Sequence, residues 1–119
     1  PALASLVEDL GESGMLEKTM VLMLSEFGRT PRINDNAGRD HWASVFSCFM
    51  AGGGIKGGQV IGSSDEDGAM PKDRPVEVAD IHATMCHAMG IDHEKEVMTP
   101  LLRPMKLVDN GSPVMELFS

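Results

Sequence analysis

Thr19-Met20-Val21-Leu22-Met23-Leu24 runs directly into Ser25-Glu26-Phe27-Gly28, and these ten residues decide the fold. The apolar run shows no alternation, which predicts a short strand covered on both faces rather than a half-exposed one. The polar residues after it then sit at the strand's carboxyl end, the edge where open α/β sheets bind ligands. Upstream, Leu3, Leu6, Val7 and Leu10 fall at i, i+3, i+4 and i+7, the stripe of a helix burying one face, with Gly11 placed to end it. Downstream, residues 29–40 have no period, contain Pro31 and Gly38, and read as a surface loop. Residues 45–51 are apolar again, a second buried strand closed by Gly52-Gly53-Gly54. The expectation is an α/β fold in which residues 19–24 and 45–50 are neighbouring buried strands, flanked by helices near residues 3–10 and 78–89.

The second half is less regular. Residues 55–75 are rich in Gly and Asp, with Gln59-Val60-Ile61 a short strand candidate inside an extended loop that folds back over the sheet edge. Val78, Ile81, Met85, Ala88 and Met89 return to helical spacing, with Glu77 and Asp80 near the positive helix end and Gly90 as the stop. Lys106-Leu107-Val108, a turn at Asp109-Asn110-Gly111, and Val114-Met115-Glu116-Leu117-Phe118 predict a small C-terminal hairpin.

Composition bounds the function. At 119 residues the chain suffices for one domain or domain fragment, residues 1–119, and not for two. With 42% apolar and 24% charged residues it is ordinary globular material, and no apolar run approaches membrane-spanning length. A net charge of −8 repels nucleic-acid backbones and anionic lipid, so neither nucleic acid nor membrane is an expected partner. Two cysteines cannot make a disulfide framework, although one bridge stays open. Ten methionines suggest adaptable packing. A first residue of Pro1 and the absence of a leader pattern suggest a trimmed piece of a longer chain.

Most motifs are matched in form only. Gly52-Gly53-Gly54-Ile55-Lys56-Gly57 satisfies G-x-G-x-x-G after a strand, but residues 58–68 carry no helical period to hold a pyrophosphate, so a backbone turn is expected. Asp65-Glu66-Asp67-Gly68 starts like a calcium loop and lacks its later oxygen ligands, which leaves a solvated acidic turn. His82 and Cys86 share a helix face at i, i+4 without two further ligands, and read as helix surface.

One constellation rises above these. Ser25-Glu26-Phe27-Gly28-Arg29-Thr30-Pro31 and Gly38-Arg39-Asp40-His41-Trp42 lie at the boundaries of the two apolar runs and bring two carboxylates, one imidazole and two guanidiniums. Glu26, Asp40 and His41 form a donor set for a divalent cation, and Arg29 and Arg39 offer bidentate binding to a tetrahedral oxyanion such as phosphate or sulfate. The alternative is a structural ion network in which Arg39 pairs with Glu26 and Asp40 while His41 caps by hydrogen bonding.

These two stretches, with Ala51-Gly52-Gly53-Gly54-Ile55-Lys56-Gly57-Gly58, Ile61-Gly62, Asp80-Ile81-His82-Ala83-Thr84 and Gly90-Ile91-Asp92, resemble a bacterial sulfatase-like family, the fifteen-oh-one domain of unknown function, in the alkaline-phosphatase and sulfatase superfamily. The resemblance covers nearly the whole chain. It implies the C-terminal portion of an alkaline-phosphatase-like α/β/α sandwich. It also implies a metal-dependent phosphate- or sulfate-ester hydrolase-like protein acting on a small anionic ester, with zinc or calcium as the cofactor. Glu26 and Phe27 match a metal-binding pair, of which Glu can ligate and Phe cannot. His41 matches a site histidine and Arg39 an oxyanion contact. The superfamily's nucleophile and first metal ligands belong to an N-terminal part not found here, so no catalytic residue is assigned. The resemblance further implies export to the periplasm or beyond. The rival reading is a degenerate, non-catalytic binding or scaffold module, and self-association into a homo-oligomer stays open because a sheet edge needs cover.

Overall fold

The computed structural model describes residues 1–118 and is mixed α/β, with two α-helices and four small two-stranded antiparallel sheets. The chain forms two compact units, Pro1–Pro75 and Val76–Ser119.

In the first unit, α1 spans Ala2–Glu12. It runs through Gly11 rather than stopping there, and ends when the Met15 N–H reaches back to the Leu10 carbonyl at 2.9 Å, a six-to-one closure around Gly14, which has a positive φ of 69°. Leu3, Val7 and Leu10 are half-buried, whereas Leu6 is 48% exposed. A 3-10 turn, Leu16–Lys18, leads into β1, Val21–Met23. The next elements are β2, Gly28–Arg29; β3, His41–Trp42; β4, Phe49–Ala51; β5, Ser63–Ser64; and β6, Pro71–Asp73.

The two apolar runs do pair: Val21 faces Ala51, Leu22 faces Met50 and Met23 faces Phe49. The pairing is antiparallel and only three residues long, and the strands are half-buried to exposed rather than covered on both faces. Flanking backbone sets their length. On one side the Gly53 N–H is donated to the Leu16 carbonyl at 2.9 Å, and a Cβ on Gly52 would run into Leu16 and Thr19, so residues 19–20 are held by the glycine turn. On the other, Val45 lies against Gly28 instead of extending β4.

Residues 55–75 do not form one loop. β5 and β6 make a hairpin with a register shift between Ser63 and Ser64, while residues 59–61 contain no strand and Val60 is 92% exposed. The acidic turn is what allows the hairpin. Asp65 accepts from the Ala69 N–H at 2.7 Å and the Met70 N–H at 3.2 Å, and the Asp65 N–H is donated to the Met70 carbonyl at 2.9 Å. A carboxylate replaces missing ladder bonds, as Asp does in turns.

In the second unit α2 spans Val78–Ala88. Its start is capped by Asp80, whose carboxylate accepts the Glu77 N–H at 3.0 Å, and its end by Gly90, with the Ile91 N–H returning to the Cys86 carbonyl at 2.8 Å. Every buried side chain among the described residues lies in this unit: Ile81, Ala83, Thr84, Val108 and Val114. Thr84 is the polar one. Its hydroxyl donates to the Asp80 carbonyl at 2.6 Å and accepts the Val114 N–H at 2.9 Å.

The expected tail hairpin is displaced. β7, Glu96–Met98, pairs antiparallel with β8, Pro104–Lys106, whereas residues Met115–Leu117 form a 3-10 turn. The reason lies in α2. Val114 is drawn in by Thr84, and the Ser112 N–H is donated to Asp80 at 2.8 Å, so the backbone after Gly111 bonds to the helix instead of to a strand.

Candidate functional site

The constellation singled out in the sequence folds into one short hairpin. β2 and β3 pair so that Gly28 faces Trp42 and Arg29 faces His41. Directly opposed residues of an antiparallel pair project to the same face, which puts the guanidinium and the imidazole side by side, both exposed. Phe27, one alternation before Arg29, shares that face. Its ring stacks on His41 with centroids 3.7 Å apart and an interplanar angle of 18°, and the Arg29 Cζ lies 5.4 Å from the Phe27 centroid. The opposite face carries Trp42, whose indole N–H is donated to the Ala69 carbonyl at 2.7 Å.

Gly28 is dictated by packing. A Cβ there would overlap the Val45 carbonyl oxygen and stand 3.2 Å from its carbon and 3.3 Å from the Trp42 oxygen. Only a bare Cα lets β2 lie this close to the chain beyond β3.

The intervening loop is firmly held. Asn34 Oδ1 accepts the N–H groups of Asn36 and Gly38, each at 3.0 Å, while its Nδ2 donates to Asp40 at 2.8 Å. The Thr30 hydroxyl accepts the Asp40 N–H at 3.1 Å and donates to the Arg32 carbonyl at 2.8 Å. Arg39 donates to the carbonyls of Thr30, at 2.8 Å, and Pro31, and Arg29 donates to the Arg39 carbonyl at 3.2 Å. The alternative reading, an ion network, is not what holds this region: among the described residues Arg39 bonds to backbone oxygens and forms no ion pair with Glu26 or Asp40.

The structure therefore brings Arg29, Phe27 and His41 together, ties Arg29 to the backbone of Arg39, and commits Asp40 to Asn34. Glu26 is exposed at the bend that precedes β2. Among the described residues no three His, Cys, Asp or Glu side chains are grouped to hold a metal ion. Glu26, Asp40 and His41 are accordingly not brought together as one three-ligand group.

Two contributors went unassigned in the sequence. Phe27, read only as a non-ligating residue, is the surface on which His41 rests. Asn34 organises the loop, and its signal was present in Asn34-Asp35-Asn36-Ala37-Gly38, since Asn accepts from backbone amides two and four residues on. In the second unit His82 lines a shallow, open groove with Val78, Ala79, Leu107, Val108 and Asp109. Cys48 and Cys86 are both free thiols.

No helix among the described residues is long and apolar enough to cross a membrane. The family described as protein of unknown function (DUF1501) matches residues 1–118, and the chain belongs to it. No curated protein and no solved structure matches the chain.

Proposed function

We propose that this DUF1501 chain is part of a phosphate- or sulfate-ester hydrolase-like protein of the alkaline-phosphatase and sulfatase type, and that its β2–β3 hairpin binds the anionic group of a small ester. One observation carries the reading: Arg29 and His41 stand opposite each other in register on one exposed face, with Phe27 against both.

The chemistry follows from the side chains. A guanidinium has five donors in a planar fork, and Arg29 uses one nitrogen on the Arg39 carbonyl, so the remaining fork can meet two oxygens of a tetrahedral anion. His41 supplies one more N–H. The Phe27 ring restricts both neighbours before any anion arrives, which lowers the ordering cost of binding. Arg39 acts through the backbone, fixing the loop on which Arg29 leans.

Turnover needs a nucleophile and the metals that activate it, which this reading places outside residues 1–118. Titration of the purified chain with inorganic sulfate and phosphate, followed by amide shifts at residues 27–42, tests the proposal. Removing the charge with Arg29→Gln should weaken binding roughly tenfold or more, the effect of one charge-assisted contact of about 1.5–3 kcal/mol. Equal affinity in wild type and Arg29→Gln would refute it.

A second reading, a non-catalytic binding module of the same fold, is favoured by Phe27 standing where the superfamily has a ligand and packing onto His41. Metal content of the longer protein and its activity on aryl phosphate and aryl sulfate separate the two.

A further inference from the structure

Asn110 and Gly111 form the chain's single Asn-Gly pair, and the two residues occupy a turn whose surroundings differ from those of the other asparagines. Asn110 is exposed in the left-handed region at φ 57°. Among the described residues neither its side chain nor the Gly111 N–H is hydrogen bonded. Asn34 is the opposite case, with both side-chain atoms engaged. Asn36 is followed by Ala37, whose N–H is donated to the Asn34 carbonyl at 3.0 Å, so the nitrogen that would attack Asn36 is occupied.

We propose that Asn110 is a self-modification site, where Gly111 closes on the Asn110 side chain to release ammonia. The Gly111 amide nitrogen gives up its proton and forms a bond to Asn110 Cγ. The Cγ–Nδ2 bond breaks, and the amide leaves as ammonia carrying a proton. Water then opens the cyclic imide at either carbonyl, giving aspartate or, with the main chain rerouted through Cγ, isoaspartate. No oxidant or partner is needed, and glycine presents no Cβ to hinder the approach.

The position gives the reaction a structural readout. A Cβ on Gly111 would stand 2.6 Å from the Ala79 carbonyl carbon and 2.8 Å from Val108 Cγ1, so the Gly111 Cα lies close against α2. Immediately beyond it come the two bonds that join the tail to α2, from Ser112 to Asp80 and from Val114 to the buried Thr84 hydroxyl. An isoaspartyl linkage lengthens the main chain by one methylene at this point, and both bonds lose their register.

The test is ageing of the whole chain in neutral buffer at growth temperature, with peptide mapping, isoaspartate detection by isoaspartyl methyltransferase, and hydrogen exchange at α2. A synthetic peptide covering residues 107–114 gives the rate without the fold. The expected result is a gain of one mass unit confined to Asn110, an isoaspartate signal, and faster exchange in α2 in the converted fraction. Asn110→Gly, which keeps the left-handed backbone, should abolish all three. Stability of Asn110 while the free peptide converts would overturn the proposal, as would equal conversion at Asn34 and Asn36. Isoaspartate formation with α2 exchange unchanged would overturn the claimed coupling.

Discussion

Replacing Gly28 by alanine is a sharp probe of the candidate site because the perturbation is one methyl group with a known destination. The new Cβ would overlap the Val45 carbonyl oxygen and crowd the Val45 carbon at 3.2 Å and the Trp42 oxygen at 3.3 Å. All three are backbone atoms, which cannot swing away as a side-chain tip can. Overpacking of this kind costs about 1–3 kcal/mol, and a hairpin held by two residue pairs has little else to resist it. We expect β2 and β3 to separate, with loss of the Arg29–His41 face. Trp42 is the only tryptophan and half-buried, its indole N–H bonded to Ala69, so its emission reports the event directly. Gly28→Ala should shift that emission to the red and weaken sulfate binding. Gly57→Ala, which meets nothing within 4 Å at a glycine without positive φ, should change stability by less than about 0.5 kcal/mol. Native-like emission and sulfate affinity in Gly28→Ala would show that Val45 yields and that the close approach does not define the site.

Three further outcomes are expected. Thr84→Val keeps the shape but strands the Val114 N–H, and should lower protection of α2 amides by about 1–3 kcal/mol, whereas Thr84→Ser keeps the hydroxyl and should cost about 1 kcal/mol for one methyl; a larger loss in the serine variant would contradict the hydrogen-bond account. Asp65→Ala removes both acceptors of the β5–β6 turn, and exchange at Ala69 and Met70 should accelerate while exchange in α2 does not. Cys48 is exposed at the surface, yet partial desolvation by its surroundings pushes the thiol up from its ordinary value, with a backbone hydrogen bond opposing in part. The protonated form is thus favoured by folding: its contribution is complete below the unfolded thiol's value and is lost as pH rises through the folded one. Alkylation of native Cys48 should accordingly inflect at higher pH than in denaturant, and an inflection at or below the denatured one would count against it.

Local signals were legible where the physics is local. The period from Val78 to Met89 and the stop at Gly90 located α2 almost to the residue, because capping and amphipathic spacing act within one turn. The two apolar runs paired as expected, since short hydrophobic stretches find each other. Their direction and exposure were not legible: absence of alternation predicts cover on both faces, yet Met23 and Phe49 are exposed. The tail misled for a different reason. Residues 114–118 have strand-forming composition, but a hydroxyl 30 positions away claims the Val114 amide, and no window of sequence contains that bond. At the site, residue types suggested charge pairing, while the folded loop uses Arg39 on carbonyls and Asn34 on amides. A composition shows which groups are present but leaves open which backbone atoms they reach.

The confinement of buried side chains, among the described residues, to residues 81–114 has a calorimetric consequence. The heat capacity of unfolding tracks apolar surface released into water and is opposed by polar surface. Pro1–Pro75, braced by backbone turns and by Asn34, Arg39 and Asp65, releases relatively little of the first and much of the second. Its stability curve should be flat, changing little from cold to warm, and its melting broad, while the region around Thr84 keeps the curvature of a small hydrophobic core. The part of the molecule that presents Arg29 and His41 is thus the part whose order depends least on temperature and most on solvents that compete for hydrogen bonds.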